Sequence, residues 1–388
     1  MRYIKSKDIF DKRVLMRVDF NVPIDKGKIL DDFRIQRVLP TIQFLREKKA
    51  KKIILISHLG QPTSSDQKQL SLEPVAGCLE ELLEEKVCFI TTLVGEGLKE
   101  EIEELPDNSI ILLENIRFYK GEMENSKKLA KELAEIADCF VNEAFSASHR
   151  EAASLCAITE FLPSYSGILL EQELINLDRI TQKSEHPLVV VLGGAKIKDK
   201  ISVIEKFKDK TDYILLGGLM ANTILKANGF CIGQSLYDEG AFAQAEKISI
   251  GKAKLILPSD FMVLDKDNQI KTKELGNISE DDKILDIGPI TCNTFSNIIL
   301  KAKTVFLNGP MGKFEQEGFS NGTNEIINAI IKNKLAFSII GGGETITCLR
   351  SFNPKFQGSD SIFLSTGGGA MLKYLVGEPL PGLIALNK

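Results

Sequence analysis

Short apolar runs alternate with amphipathic stretches along the whole chain. Runs at 13–18, 52–57, 110–113, 138–142, 188–192, 213–217, 254–257, 304–307, 336–340 and 361–365 have the length and β-branched content of buried strands. Between them, apolar residues recur with helical spacing over 35–49, 72–85, 126–137, 167–181, 196–207, 220–228, 239–249, 291–301, 321–332 and 368–376. Strand and helix in strict alternation predict βαβ units, and so an α/β fold with mostly parallel sheets and helices on both faces. In such sheets ligands bind beyond the carboxyl ends of the strands. The residues just after each apolar run therefore carry the chemical information.

The most informative run is 188–192, which is followed by Gly193-Gly194-Ala195-Lys196 and a helical pattern with Ile197, Ile201 and Ile204 on one face. Lys196 and Lys200 lie four apart and share another face. A strand, two glycines, a helix start and two lysines suit a polyanion such as a nucleotide phosphate tail. The spacing is not that of a Walker loop, and an ordinary glycine turn with solvated lysines has the same pattern.

In the first half, Asp19 and Asn21 follow the first strand, where they read either as acceptors for a small polar ligand or as turn residues. Arg34 opens the next helix, an unfavourable place for a cation in the helix dipole. Ser57-His58-Leu59-Gly60-Gln61 ends the second strand, Glu114-Asn115-Ile116-Arg117 the next, and Asn142 to Arg150 the one after. Ends of one parallel sheet converge, so Arg34, His58, Arg117 and Arg150 form a basic cluster suited to a small, multiply charged anion. The second half has a different signature. Its strands run into Gly217-Gly218, Gly288, Asn308-Gly309-Pro310, Gly341-Gly342-Gly343-Glu344-Thr345 and Gly367-Gly368-Gly369. Repeated glycine-marked strand ends imply a surface where backbone amides meet a large ligand. Glu315 is placed to accept from ribose hydroxyls, and Glu344 to hold Mg²⁺ near phosphates.

Length and composition narrow the reading. A chain of 388 residues exceeds one core of typical size and predicts two domains. Residues 167–183 carry one long apolar stripe and read as the helix joining them, although a peripheral crossover helix has the same pattern. Lys+Arg 49 against Asp+Glu 53 argues against a non-specific nucleic-acid surface. The seven cysteines are scattered and lack Cys-x-x-Cys spacing, so they read as reduced thiols of a cytoplasmic protein. The N-terminal residues lack the apolar run of a signal peptide, and no stretch approaches the ~18 apolar residues of a membrane span.

The segments Arg17-Val18-Asp19-Phe20-Asn21-Val22-Pro23, Ser57-His58-Leu59-Gly60, Glu114-Asn115-Ile116-Arg117-Phe118, Gly193-Gly194-Ala195-Lys196, Asn308-Gly309-Pro310-Met311-Gly312 and Ser365 to Ala370 resemble, in order, the signature stretches of the phosphoglycerate kinase family. The resemblance implies two Rossmann-like domains joined by a helix and hinge: 1–166 for the acid, 167–185 the interdomain helix, 186–370 for the nucleotide, and 371–388 returning to the first. It implies reversible phosphoryl transfer between 1,3-bisphosphoglycerate and MgADP, giving 3-phosphoglycerate and MgATP, in line and on hinge closure, by a monomer. Neither nucleic acid nor membrane is implied as a partner. Carried over by position, Asp19, Phe20, Asn21, Arg34, His58, Leu59, Gly60, Gln61, Arg117 and Arg150 would hold the phosphoglycerate. Lys196, Lys200, Gly217, Gly218, Gly288, Asn308, Pro310, Glu315, Gly341, Gly342, Gly343, Glu344 and Thr345 would hold the nucleotide, with Glu344 on Mg²⁺. Arg34, Lys196 and the helix start at Gly367, Gly368 and Gly369 would stabilise the transferring group.

Against the family's usual pattern, Gln61 stands for an arginine, Ser146-Ala147-Ser148 for Gly-Thr-Ala, Leu307 for tryptophan, Lys313 for valine, Glu344 for aspartate and Lys373 for glutamate. An enzyme phosphorylating a different carboxylic acid, and a non-catalytic binding protein on the same fold, are the two rival readings. Gln61 separates the acids. A charge-assisted pair is worth about 1.5–3 kcal/mol, roughly ten- to a hundredfold in affinity. Gln61→Arg is therefore expected to lower KM for 3-phosphoglycerate at fixed ionic strength. An unchanged or raised KM would put Gln61 outside the phosphate site or point to an acid without that phosphate.

Overall fold

The computed structural model describes residues 1–63, 67–92, 94–195, 197–246, 248 and 255–387. The chain divides into two units, residues 1–175 with 378–388, and residues 176–377. The division falls inside the helix Ile168–Thr181. The C-terminal return starts at Glu378 rather than at 371, because the helix Gly368–Val376 stays with the second unit, packed on the helix Ile197–Phe207. The short helix Pro381–Leu386 lies in the first unit, where the Gly382 amide donates to the Ser148 carbonyl at 2.9 Å.

The first unit holds six parallel strands: β1 (Arg13–Arg17), β2 (Lys52–Ile56), β3 (Val87–Ile90), β4 (Ile110–Leu113), β5 (Cys139–Asn142) and β6 (Ser164–Ser166), in the order β3-β4-β2-β1-β5-β6. Helices cover both faces, so every residue of β2, β4 and β5 is buried, which is why these strands read as continuous apolar runs. The helix Phe33–Glu47 lays Ile35, Val38, Ile42 and Leu45 into this core at helical spacing. Register sets the height at which each strand stops. Arg17 pairs with Ile56 on one side and Asn142 on the other, so β1, β2 and β5 end level.

The second unit repeats the plan with β7 (Leu188–Leu192), β8 (Tyr213–Leu216), β9 (Leu255–Ile256), β13 (Thr304–Asn308), β14 (Phe337–Gly341) and β15 (Ile362–Ser365), all parallel in the order β9-β8-β7-β13-β14-β15. Leu192, Leu216, Asn308, Gly341 and Ser365 are mutually in register through their neighbours, so five strands end at one level. Of the small antiparallel sheet β10 (Asp260–Leu264), β11 (Ile270–Glu274) and β12 (Lys283–Ile287), the pattern predicts only β12, the strand that runs into Gly288. Strand β11 lies largely in solvent and lacks an apolar run. The helix expected over 239–249 is a 3₁₀ turn at Glu239–Ala241 and a short helix at Phe242–Ala245, with Lys247 and Ser249 outside the described residues.

Just past β5, buried Glu143 caps the helix Ile168–Thr181. Its carboxylate accepts from the Leu169 and Leu170 amides at 2.9 and 3.1 Å and from the Thr41 hydroxyl. Burial pushes this carboxyl up to about 7, more than those hydrogen bonds and the Arg37 charge pull it down. The unfolded carboxyl releases its proton near 4.5 while the folded one still holds it. The folded state thus binds more protons between these values, and the stability of the first unit falls as pH rises from about 4.5 to about 7. In Glu143→Gln that fall is expected to disappear, read from urea dependence of amide exchange in β1 at pH 5 and pH 7.5. An equal fall in both proteins would take the carboxyl out of the linkage.

Candidate functional site

In the first unit the level ends of β1, β2 and β5 and the turn after β4 bring the expected cations together. Arg34 is ion-paired with Asp19, and the Ser146 hydroxyl donates to the same carboxylate oxygen. The other oxygen of Asp19 accepts from the Asn21 amide at 3.0 Å, closing a turn, and the Asn21 side chain accepts from the Gly60 amide at 2.9 Å. These residues make the turn, and through it Asp19 aims Arg34. Burial works against ionisation of Asp19, yet the Arg34 charge and the hydrogen bonds from Ser146 and the Asn21 amide hold it below the usual carboxylate range. Arg117 donates to the Gly60 carbonyl at 2.5 Å. Burial first, then the charges of Arg150 and Arg17, lower it to about 10. Arg150 is thus within electrostatic reach of Arg117, half-buried beyond β5. His58 is buried, and Gln61 is exposed at the loop edge.

The side chains of Phe20 and Leu59 belong to the core, so it is their backbone that is available to a ligand. Sequence reading passed over the bracing residues. Arg17 is fully buried although charged, in a strand where a charge has no business without partners. Asn115 donates to the Leu59 and Leu70 carbonyls at 2.8 and 3.0 Å, tying two loops together. The only signal for such roles was a polar residue inside or beside an apolar run.

In the second unit the level strand ends form a cradle of backbone. The Gly194 amide donates to the Pro310 carbonyl at 2.7 Å, Gly193 to Asn308 at 3.0 Å, and Gly218 to Met311 at 2.9 Å. Only glycine fits there. A Cβ on Gly193 would lie 2.1 Å from the Pro310 oxygen, and Gly309 combines φ +98° with a Cβ position 2.2 Å from the Gly193 oxygen. The buried Lys200 ammonium donates to the Gly193 carbonyl, and the Gly309 amide donates to the Thr345 hydroxyl at 2.8 Å. Asn308 reaches toward Gly342. Gly217 caps the helix Gly218–Ala227 and Gly288 caps the helix Pro289–Ile299. Gly341 ends β14 against Met371, while Gly343, Gly368 and Gly369 have open space where a side chain would stand. Lys196 lies outside the described residues.

Beside this cradle is a cavity of 790 Å³, within the range of small-ligand pockets. Gly194, Gly218, Pro310, Glu315 and Glu344 line it, and so do Asn222, Lys283, Asp286 and Lys313, which sequence reading did not select for a ligand role. Asp286 is buried, accepts from the Gly322 and Ile287 amides at 2.7 and 2.9 Å, and is raised by burial to about 7. Glu344 opens the helix Gly343–Phe352 with its carboxylate beside Gly194. No group of three or more potential metal ligands occurs among the described residues. A single carboxylate fits Mg²⁺ shared with phosphates, which keeps waters and needs few protein ligands.

Comparison with known proteins gives one consistent result. The family model described as phosphoglycerate kinase matches residues 4–378. The phosphoglycerate kinases of Dictyoglomus turgidum and Thermosipho africanus are 42% and 44% identical over 393 and 394 residues, covering 99% of this chain and 98% and 97% of theirs. Among solved structures, phosphoglycerate kinase from Coxiella burnetii superposes with a TM-score of 0.80 at 38% identity, covering 98% of this chain and 97% of that one. That from Pyrococcus horikoshii gives 0.89 at 34% identity, covering 100% and 98%.

Proposed function

Since this chain belongs to the phosphoglycerate kinase family, we propose that the basic strand-end cluster of its first unit holds 3-phosphoglycerate and the glycine cradle of its second unit holds ATP or ADP. The activity is the family's: reversible phosphoryl transfer between 1,3-bisphosphoglycerate and ADP, giving 3-phosphoglycerate and ATP. The observation that carries the site assignment is the level ending of β1, β2 and β5, which gathers Arg34, His58, Arg117 and Arg150 at one edge of one sheet.

The residues suit the reaction. A carboxylate oxygen of the acid bonds to the γ-phosphorus of ATP as the bridging P–O bond breaks and ADP leaves. The nucleophile is already ionised, so no general base is required, and catalysis reduces to alignment and charge stabilisation. Asp19 and Ser146 fix Arg34 in place to stabilise charge on the transferring group. Arg117 and Arg150 supply charge for the phosphate end. Lys200, Lys196 and the helix start at Gly367–Gly369 are assigned to phosphoryl oxygens, and Glu315 to the ribose. Glu344 would hold Mg²⁺, which offsets repulsion between phosphate oxygens when bound. All seven cysteines are thiols outside any disulfide, which supports a reducing, cytoplasmic setting, and we assign the chain as a monomer. No described helix is long and apolar enough to cross a membrane.

Arg34→Ala is the decisive variant. Loss of a donor aimed at developing charge typically costs roughly a hundredfold or more in turnover. With 3-phosphoglycerate and MgATP, kcat is expected to fall by that order, with a much smaller rise in KM. A raised KM at unchanged kcat would move Arg34 to ground-state binding.

A further inference from the structure

Behind the basic cluster lies a buried polar chain whose donors and acceptors fix one another. Arg17, 1% exposed on β1, donates through Nε to the Ser154 hydroxyl at 2.8 Å and through Nη1 to the Val18 carbonyl. Ser154 in turn donates to Glu122 at 2.7 Å, and its amide donates to the other Glu122 oxygen at 2.9 Å. Buried Glu122 lies 3.8 Å from Arg17 and balances its charge. The remaining arm of the guanidinium, Nη2, is 3.2 Å from Nδ1 of His58.

A guanidinium has only donors and keeps its protons at any working pH. Nδ1 of His58 must therefore be the acceptor, with a lone pair and no proton. A neutral imidazole carries its one proton on the other nitrogen. The other two histidines of the chain have the opposite arrangement. Nδ1 of His149 is 2.9 Å from the Ser146 carbonyl, and Nδ1 of His186 is 2.6 Å from a carboxylate oxygen of Asp212, so each carries a proton there.

We propose that Arg17 is a positioning residue that locks His58 as the neutral Nε2–H tautomer, so that His58 offers the bound acid a fixed, uncharged donor while Arg34, Arg117 and Arg150 supply the positive charge. This rests on the acid-site assignment made above and deepens it. Protonating Nδ1 would break the bond from Arg17 and set two cations about one hydrogen bond apart. The groups facing His58 act in the same sense with one exception. Burial is the largest influence against the charged form, and Arg17, Arg117 and Arg34 add to it, while Asp19 opposes. The oxygens of Asp19 are already engaged by the Asn21 amide, Arg34 and Ser146, and His58 is held well below its ordinary value.

The test is nitrogen-15 NMR of the histidine side chains in the wild-type protein from pH 5.5 to 8.5, with His58 assigned by its loss in His58→Gln. One histidine of three, His58, is expected to show a protonated Nε2 and bare Nδ1, with shifts constant across the range. A protonated Nδ1, or a midpoint inside that range, would overturn the lock. Adding 3-phosphoglycerate should move the Nε2–H signal without changing the tautomer. A signal that ignores the acid would overturn the donor role and the acid-site assignment while the lock itself stood. The second measurement uses the double variant Arg17→Met, Glu122→Gln, which removes both charges of the buried pair together. Its KM for 3-phosphoglycerate, divided by the wild-type value, is expected to change more than threefold between pH 8 and pH 6 as His58 becomes free to protonate, with the kcat ratio nearly flat. A KM ratio independent of pH would contradict the proposal.

Discussion

Everything chemical in this protein depends on strands that end level. In a parallel sheet the last residue of each strand has no further ladder partner, so the chain must turn there and satisfy its amides and carbonyls otherwise. Level ends make several chains turn at one height. In the first unit the vacated space is filled by side chains that hold one another: Asp19 with Arg34 and Ser146, Arg17 with His58, Arg117 with Gly60. In the second unit it is filled by backbone, because glycines at 193, 218 and 309 let carbonyls and amides approach within hydrogen-bond distance. One constraint thus yields a rigid set of cations in one case and a cradle of peptide groups in the other. The first suits a small acid with concentrated charge. The second suits a long polyanion approached along its length.

The cost of this arrangement is buried charge. Arg17 and Glu122 lie fully inside the first unit, and Glu143 and Asp286 are carboxyls raised toward neutrality by their surroundings. Unpaired, such groups would destabilise by several kcal/mol. Here each meets the partners its chemistry allows, and Arg17, Glu143 and Asp286 each lie at or next to a strand end. Polar groups of this kind hold loops to one geometry where apolar packing would let them slide, which is what alignment-based catalysis requires.

Much of this was legible in the chain. Ten strands fell on the ten apolar runs, since strands buried on both faces leave unbroken Val, Ile and Leu stretches such as Leu188–Leu192. The positions after them carried the site, because the sheet forces that placement. Strand β11 escaped because exposure erases the apolar signal, and β3 and β6 because they are edge strands with half-buried residues. A motif names neighbours along the chain, whereas only the folded chain shows that the side chains of Phe20 and Leu59 turn into the core. Arg17, Ser154 and Glu122 lie far apart in sequence, and only the folded chain shows that they form one network ending on His58.

If each unit carries its own anion site at the carboxyl edge of its sheet, as proposed, the acid and the nucleotide perturb different units. Amide chemical-shift mapping of the full chain with each substrate alone addresses it most directly. 3-Phosphoglycerate is expected to perturb residues 19–21, 34, 58–61, 117 and 146–150 of the first unit. ADP is expected to perturb residues 193–195, 217–219, 309, 311–313 and 342–345 of the second. Perturbation by 3-phosphoglycerate confined to the second unit, or by ADP confined to the first, would contradict the account.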